Sequence, residues 1–141
     1  MKTIFNKKLN YDYETHETFE AGIELFGFEV KSIKSGKVNI ISGVVNLYGG
    51  EAYANGIDIT PIQENNTFNY DKTRSKKLLI KKSQTNNLYK ELENKRMSLH
   101  INKIYLKNNL VKVEVSLCSK LKKIDKKEKI KERDLDRSMY M

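Results

Sequence analysis

Residues 99–115 read Leu99-His100-Ile101-Asn102-Lys103-Ile104-Tyr105-Leu106, then Lys107-Asn108-Asn109, then Leu110-Val111-Lys112-Val113-Glu114-Val115. Both arms alternate side chains at a period of two, which is the pattern of a strand with one face toward a core. The polar linker between the arms favours a tight turn. The segment therefore predicts a β-hairpin, the clearest one in the chain.

Three segments upstream of this hairpin are also typical of strands. Residues 11–19 alternate large and polar side chains and contain many β-formers. Residues 37–48 are rich in Val and Ile and end at Gly49-Gly50, which indicates a second hairpin. Residues 51–62 continue as extended structure. Together these segments predict a β-meander.

Two segments predict short helices, and one predicts a loop. Residues 29–35 end at Gly36, which suits the left-handed conformation that often follows a helix. Residues 83–95 keep apolar side chains at helical spacing, with Ser83 as the N-cap. Residues 63–77 are polar and punctuated by Asn, so we expect an exposed loop there.

The chain divides by composition near residue 118. About six strands with two or three short helices predict a mainly β fold for residues 1–118, a small antiparallel barrel that is closed or nearly closed. Residues 119–141 hold 9 basic and 5 acidic side chains and no Gly or Pro. Such a tail buries too little surface to offset ordering, so we expect it to be disordered when free and helical on binding.

The charge balance favours a polyanionic partner. The chain has 27 Lys and Arg against 18 Asp and Glu, a net charge of +9, so nucleic acid is the first candidate. Cys118 is the only cysteine and no Cys/His cluster has zinc-ligand spacing, so we expect no disulfide, metal or cofactor. No signal peptide or membrane-span pattern occurs, which predicts a soluble, cytoplasmic protein with no membrane partner.

The sequence offers little for catalysis, and we expect no enzyme. His16 and His100 are far apart and lie inside strand patterns, which favours ordinary strand residues. No nucleophile motif, phosphate-binding loop or dinucleotide fingerprint occurs. Glu20, Glu24 and Glu29 cross a strand-to-helix junction with no reason to converge, so they are interpreted as solvated acids.

Binding is better supported than catalysis. Lysines from separate segments can be gathered on one face of a barrel, although a solubilising coat explains the charge equally well. Aromatic side chains near basic or loop positions can stack on unpaired bases, which favours binding. The lysines are Lys7, Lys8, Lys31, Lys34, Lys37, Lys76, Lys77, Lys81, Lys82 and Lys112, and the aromatic residues are Tyr11, Tyr13, Phe68 and Tyr70.

Seven short strings occur in order at compatible spacing: Phe19-Glu20-Ala21-Gly22-Ile23, Glu29-Val30-Lys31-Ser32, Gly36-Lys37-Val38-Asn39-Ile40, Gly50-Glu51-Ala52, Asp71-Lys72-Thr73-Arg74-Ser75-Lys76-Lys77-Leu78-Leu79, Lys112-Val113-Glu114 and Asp125-Lys126-Lys127. Together they closely resemble the small protein B family, the SsrA-binding proteins of bacterial trans-translation. The resemblance covers roughly residues 6 to 134.

The resemblance implies an OB-fold-like barrel and an adaptor function. The family binds the tRNA-like domain of transfer-messenger RNA and accompanies it to stalled ribosomes, where the nascent chain receives a degradation tag. The implied partners are this RNA, the small ribosomal subunit near the decoding centre and mRNA channel, and, indirectly, elongation factor Tu. The family's tail becomes helical in the mRNA channel. We expect a monomer.

The resemblance also implies site residues. Glu20 matches the family's RNA-binding glutamate, Leu79 an apolar contact and Lys112 a basic contact that can pair with phosphate. The other expected RNA-binding residues are Asn6, Lys7, Lys8, Lys31, Asn39, Asp71, Arg74, Lys76 and Lys77. The expected ribosome-binding residues of the tail are Asp125, Lys126, Lys127, Lys131 and Arg133.

The chain departs from the family pattern at several positions. Ser42-Gly43-Val44 replaces Asp-Ser-Tyr, which removes a hydroxyl and a ring, and Tyr70-Asp71-Lys72 replaces His-Asp-Pro. The remaining departures are at Arg96, Lys120 and Ile124. The alternative interpretation is a general RNA-binding or ribosome-associated barrel without a preferred RNA. A third interpretation is an enzyme of nucleic-acid metabolism.

Overall fold

The computed structural model describes residues 2–62 and 70–121. Within these ranges the chain forms nine strands and three helices. Their bounds are β1 (Ile4–Phe5), α1 (Leu9–Asp12), β2 (Tyr13–Ile23), α2 (Gly27–Lys34), β3 (Val38–Asn39), β4 (Val44–Tyr48), β5 (Glu51–Asn55), β6 (Asp58–Ile59), β7 (Lys76–Leu79), α3 (Lys82–Leu92), β8 (Met97–Lys107) and β9 (Leu110–Lys120). No helix of this described part is long and apolar enough to cross a membrane.

Six of these strands form a closed ring. The order is β8-β4-β5-β7-β2-β9, and β9 pairs again with β8, so the described sheet returns to its first strand. Every pairing around the ring is antiparallel. β1 adds to the outer edge of β8, and β3 and β6 form a separate two-stranded sheet. The mainly β, OB-fold-like ring that the sequence predicts is therefore confirmed.

Two tight turns set the register of the ring. Asn108 and Asn109 have positive φ angles of 53° and 64°, and they join β8 to β9 as a two-residue hairpin loop. Gly49 and Gly50, with φ of 58° and 79°, do the same between β4 and β5. Left-handed backbone at both central residues matches the twist of the flanking strands. Both predicted hairpins are confirmed.

The ring encloses an apolar core that two helices cover. Side chains on the inner face of each long strand are buried, including Ile101, Ile104, Val113 and Val115 at 0% exposure. Ile33 of α2 and Leu88 of α3 are buried against the same cluster. Burying this much apolar surface is the main stabilising contribution of the fold. The outer strand face is left free for polar side chains.

The structure corrects several predicted boundaries. The strand predicted over residues 11–19 is β2 (Tyr13–Ile23), and the N-cap of α3 is Lys81 rather than Ser83. The extended segment 37–48 divides into β3 and β4, because the chain turns where the Gly43 amide donates to the Ile40 carbonyl at 2.9 Å. A Cβ at Gly43 would lie 3.0 Å from Ile101 Cβ, so this position has little room for a side chain.

Candidate RNA interface

Gly22 lies at the centre of an outward-facing surface on three strands. In β2 it pairs with Leu79 of β7 on one side and with Lys112 of β9 on the other. A Cβ at Gly22 would lie 3.2 Å from Leu79 Cδ1, so the glycine leaves room for the leucine to lie across the strand. Leu79 is 55% exposed there. The packing thus presents an apolar side chain to solvent next to a lysine.

Glu20 lies two residues before Gly22 on the same exposed side of β2. Its Oε2 accepts a hydrogen bond from the Tyr105 hydroxyl, and Lys107 Nζ lies 3.5 Å from Oε1. The Tyr105 hydrogen bond and the nearby charges of Lys107 and Lys112 lower the pKa of the Glu20 carboxyl. Glu20 is therefore an exposed, ionised acceptor in basic surroundings.

The hairpin register brings these groups together from distant parts of the sequence. Lys112 pairs with Gly22 across β2 and β9 and with Tyr105 across β9 and β8. Glu20, Leu79 and Lys112, three of the residues expected to bind RNA, therefore lie around one glycine. We call Glu20, Leu79, Tyr105, Lys107 and Lys112 the β2 face.

Tyr105 and Lys107 of the β2 face were not among the expected site residues. Their positions were readable from the sequence, because the period of two in β8 puts residues 105 and 107 on one side of the strand. What the sequence pattern lacked was the pairing of β2 with β9, which places Glu20 beside that side of the hairpin. This pairing spans about ninety residues of chain and leaves no local signal.

A second carboxylate, Glu29, has its side-chain partners in the segment that begins at residue 70. We call Glu29, Tyr70 and Arg74 the Glu29 cluster. Glu29 is fully buried, and its two carboxylate oxygens accept hydrogen bonds from Arg74, including one of 3.0 Å from Nε, and from the Tyr70 hydroxyl. The Phe26 amide donates a further bond of 2.7 Å. Burial raises the pKa of Glu29, but the bonds from Arg74, Tyr70 and Phe26 outweigh it, so the pKa lies below its ordinary value. The interpretation of Glu29 as a solvated acid is wrong.

Three expected RNA-binding residues stabilise this loop. Lys76 is fully buried in β7, where Nζ donates to the carbonyls of Arg74 at 2.8 Å and Ile57 at 3.2 Å. Burial lowers the pKa of Lys76. Asp71 accepts bonds of 2.9 and 3.0 Å from the amide and hydroxyl of Thr73. Lys76, Asp71 and the Arg74 guanidinium thus have internal partners, and Lys76 is corrected from an RNA contact to a buried support.

Asn6 is a second correction. Its side chain is buried and donates to the carbonyls of Ile40, Ile41 and Ile101 at 3.1 to 3.3 Å. It ties β1 to the turn before β4 and to β8, which its position in an Asn-Lys-Lys motif does not reveal. Asn39 has a local partner as well, because its Oδ1 accepts from the Ile41 amide at 3.0 Å.

The remaining expected residues are on the surface or beyond the described chain. Lys7, Lys8 and Lys31 are exposed, and Lys77 lies 3.7 Å from Glu51. In the described part of the sheet, none of these four lysines lies opposite Glu20 on a neighbouring strand. The predictions for Asp125, Lys126, Lys127, Lys131 and Arg133 lie outside the described residues, as does Phe68.

Several aromatic and titratable residues away from the β2 face contact other residues of the chain or are buried. Tyr13 packs against His100 with ring centres 4.1 Å apart, and burial lowers the pKa of that imidazole. His16 lies in β2 and contacts the Ser119 hydroxyl at 2.7 Å. Cys118 is buried, and burial raises the pKa of its thiol. In the described ranges, no group of three or more His, Cys, Asp or Glu side chains could hold a metal ion.

Several positions that depart from the family pattern make contacts in the described part of the chain. Tyr70 donates its hydroxyl to Glu29 and packs edge-on against Phe28, so this loop residue is anchored. The Arg96 amide donates to Asn94 Oδ1 at 3.1 Å in the turn after α3. Val44 pairs with Asn55 and His100, Lys72 accepts from the Ile59 amide, and Lys120 pairs with Tyr13.

Comparison with known proteins gives the family of this chain. A family model described as "SmpB protein" matches residues 3–141. The chain belongs to the SmpB family. The SsrA-binding protein of Streptococcus mutans is 40% identical to this SmpB family member over 134 residues, which are 95% of this chain and 86% of the relative. The SsrA-binding protein of Enterococcus faecalis is 37% identical over 134 residues, 95% and 87% of the two chains.

A solved structure resembles the fold of this SmpB family member as well. It is reported as "tmRNA-SmpB: a journey to the center of the bacterial ribosome", and the two chains superpose with a TM-score of 0.71 at 34% sequence identity. The match covers 91% of this chain and 94% of the other. The ring of strands that carries the β2 face is therefore shared with a family member of known structure.

Proposed function

We propose that this protein is an RNA-binding adaptor of trans-translation. It binds the tRNA-like domain of transfer-messenger RNA and delivers the RNA to stalled ribosomes, where the nascent chain is tagged. Membership of the SmpB family and a fold shared along nearly the whole chain support this function. The observation that carries it to particular residues is the convergence of Glu20, Leu79 and Lys112 around Gly22.

The β2 face combines the three kinds of group that a specific RNA contact needs. Lys107 and Lys112 attract phosphates, which supplies affinity but no sequence information. Glu20 accepts hydrogen bonds from base amino groups or ribose 2′-hydroxyls, and only RNA that offers such a donor offsets the cost of an acid among phosphates. Leu79 provides apolar contact area beside them. The acid therefore supplies selectivity, and the lysines supply attraction.

The basic C-terminal segment is the proposed ribosome-binding element. We place Asp125, Lys126, Lys127, Lys131 and Arg133 in contact with the small subunit near the decoding centre and mRNA channel, with the segment helical when bound. This role needs no catalytic group, so the proposed adaptor is not an enzyme, and it acts in the cytoplasm as a monomer. Elongation factor Tu is an indirect partner, through the RNA.

We place the boundary between the RNA-binding ring and the C-terminal segment after residue 121. β9 continues to Lys120, and the Leu121 amide donates to the Asp12 carbonyl at 2.9 Å, so a truncation that spares the ring must begin at residue 122 rather than at 119. We expect a chain lacking residues 122–141 to bind transfer-messenger RNA within about twofold of the full chain and to fail in tagging. Loss of RNA binding in this truncation, with an unchanged melting temperature, would contradict the division of roles.

A general RNA-binding barrel is the alternative function, and competition separates the two. In about 0.15 M salt a nonspecific binder loses most of its affinity through counterion release. We expect binding to transfer-messenger RNA to survive an excess of bulk tRNA. Binding that bulk tRNA abolishes would favour the general binder.

A further inference from the structure

The row of side chains on the β2 face continues across β8 to the edge strand β1. Tyr105 and Lys103 are successive outward residues of β8, and Lys103 pairs with Phe5 of β1. Phe5 is 56% exposed. β1 contains only two residues and lies outside the closed ring, so its pairing places this phenylalanine beside Lys103.

Lys103 connects the two aromatic side chains. Its Nζ lies 5.5 Å from the centre of the Tyr105 ring, 6.0 Å from that of Phe5 and 3.1 Å from Glu114 Oε2. A cation near the face of a ring is attracted to its π electrons. The ammonium group thus lies between a ring that belongs to the β2 face and a ring that is half open to solvent.

The charge and the ring geometry indicate what covers this surface. Lys103, Lys107 and Lys112 outnumber the two acids beside them, Glu20 and Glu114, so the row is net positive. A polyanion with flat, apolar groups fits alternating lysines and aromatic rings. A lone exposed Phe would need no explanation, but Phe5 is continuous with the β2 face and its cations.

We propose that the RNA interface extends from the β2 face over Lys103 to Phe5. The Phe5 ring stacks on an unpaired base, and Lys103 contacts the phosphate beside it. The proposal rests on the proposed function, because the nucleotide belongs to the same transfer-messenger RNA. It adds a stacking position to a surface that otherwise recognises RNA through charge, hydrogen bonds and the apolar contact of Leu79.

The test compares Phe5→Leu and Phe5→Trp in a titration of the full-length protein against the tRNA-like domain of transfer-messenger RNA, with bulk tRNA as competitor. Leucine keeps apolar area but has no π face, so Phe5→Leu lowers affinity about tenfold, whereas Phe5→Trp keeps it. Tyr48→Leu is the matched control, since Tyr48 is 79% exposed at the end of β4. It leaves affinity unchanged. Equal melting temperatures establish that the variants fold.

The outcomes separate this proposal from the proposed function. Suppose that wild type still binds the RNA in the presence of bulk tRNA and that Glu20→Arg weakens this binding. If Phe5→Leu then has the affinity of wild type, the interface ends at Tyr105 and the extension is wrong. Equal losses in Phe5→Leu and Phe5→Trp would also overturn it, because stacking would not be the cause. If bulk tRNA abolishes the binding of wild type, both the proposed function and the extension are overturned.

Discussion

Glu20 and Glu29 have the same kinds of partner in opposite surroundings. The Glu20 carboxylate accepts a hydrogen bond from the Tyr105 hydroxyl and lies beside Lys107. The Glu29 carboxylate accepts one from the Tyr70 hydroxyl and lies beside Arg74. Glu29 is fully buried, whereas Glu20 is exposed. RNA can replace the partners of Glu20 but cannot reach the buried carboxylate of Glu29. Accessibility, and not the chemistry of the group, decides which acid can recognise a ligand.

The same difference divides the energetic roles. Removing one partner of a buried ion pair leaves an uncompensated charge away from water, which is strongly destabilising. An exposed pair contributes little, because water and salt screen it. The Glu29 cluster should therefore govern stability and the β2 face should govern affinity. Each prediction below tests this division.

The largest expected effect is on stability. Arg74→Ala leaves the Glu29 carboxylate buried without its guanidinium, and we expect the free energy of unfolding to fall by about 3 kcal/mol. Urea denaturation measures the change. RNA affinity of the folded variant should stay within about threefold of wild type. A stable Arg74→Ala protein with severely weakened RNA binding would show that Arg74 contacts RNA directly.

Low pH should remove the contribution of the Glu29 carboxylate to the free energy of unfolding. Its pKa is lowered from an ordinary value of 4.5, so its stabilisation is present above pH 4.5 and is lost as the pH falls through the lowered pKa. We expect wild type to exceed Glu29→Gln in stability at pH 7, with the difference shrinking below pH 4.5. Glu20→Gln is the control and should match wild type at pH 7. A Glu29→Gln difference that does not change with pH would contradict the linkage.

The smallest expected effect is that of the exposed pair. Lys107 Nζ is 3.5 Å from Glu20, and both side chains are open to water. Lys107→Ala should leave the urea midpoint unchanged and should weaken RNA binding mainly at low salt, with a slope of log affinity against log salt reduced by about 1. An unchanged salt dependence would exclude Lys107 from phosphate contact.

Local signals in the sequence predicted local structure. The Gly49-Gly50 and Asn108-Asn109 turns and the left-handed Gly36 after α2 follow from backbone preferences of a few residues, and the structure has all of them. The strand β7 was missed, because its lysine-rich start has the composition of a loop. Its pairing with β2 and β5 supplies the burial that its sequence conceals.

Contacts between distant residues limit what the sequence can predict about the site. Arg74 lies 45 residues from Glu29, and Asn6 reaches the Ile101 carbonyl 95 residues away. Both residues have the charge or polarity of RNA contacts, so only the fold shows that their partners are internal. The family resemblance predicted Glu20, Leu79 and Lys112, but Tyr105 emerged only from the pairing of β2, β9 and β8.

The charge-reversing variant Glu20→Arg tests the central claim most directly, with Glu91→Arg on the exposed surface of α3 as its control. Both variants add the same charge, so a nonspecific binder should gain affinity for RNA in each case. If Glu20 accepts a hydrogen bond from transfer-messenger RNA, Glu20→Arg should lose about tenfold in affinity under bulk tRNA competition, because an RNA donor is left unpaired. Glu91→Arg should equal or slightly exceed wild type. Equal or higher affinity in Glu20→Arg would contradict the assignment of the β2 face.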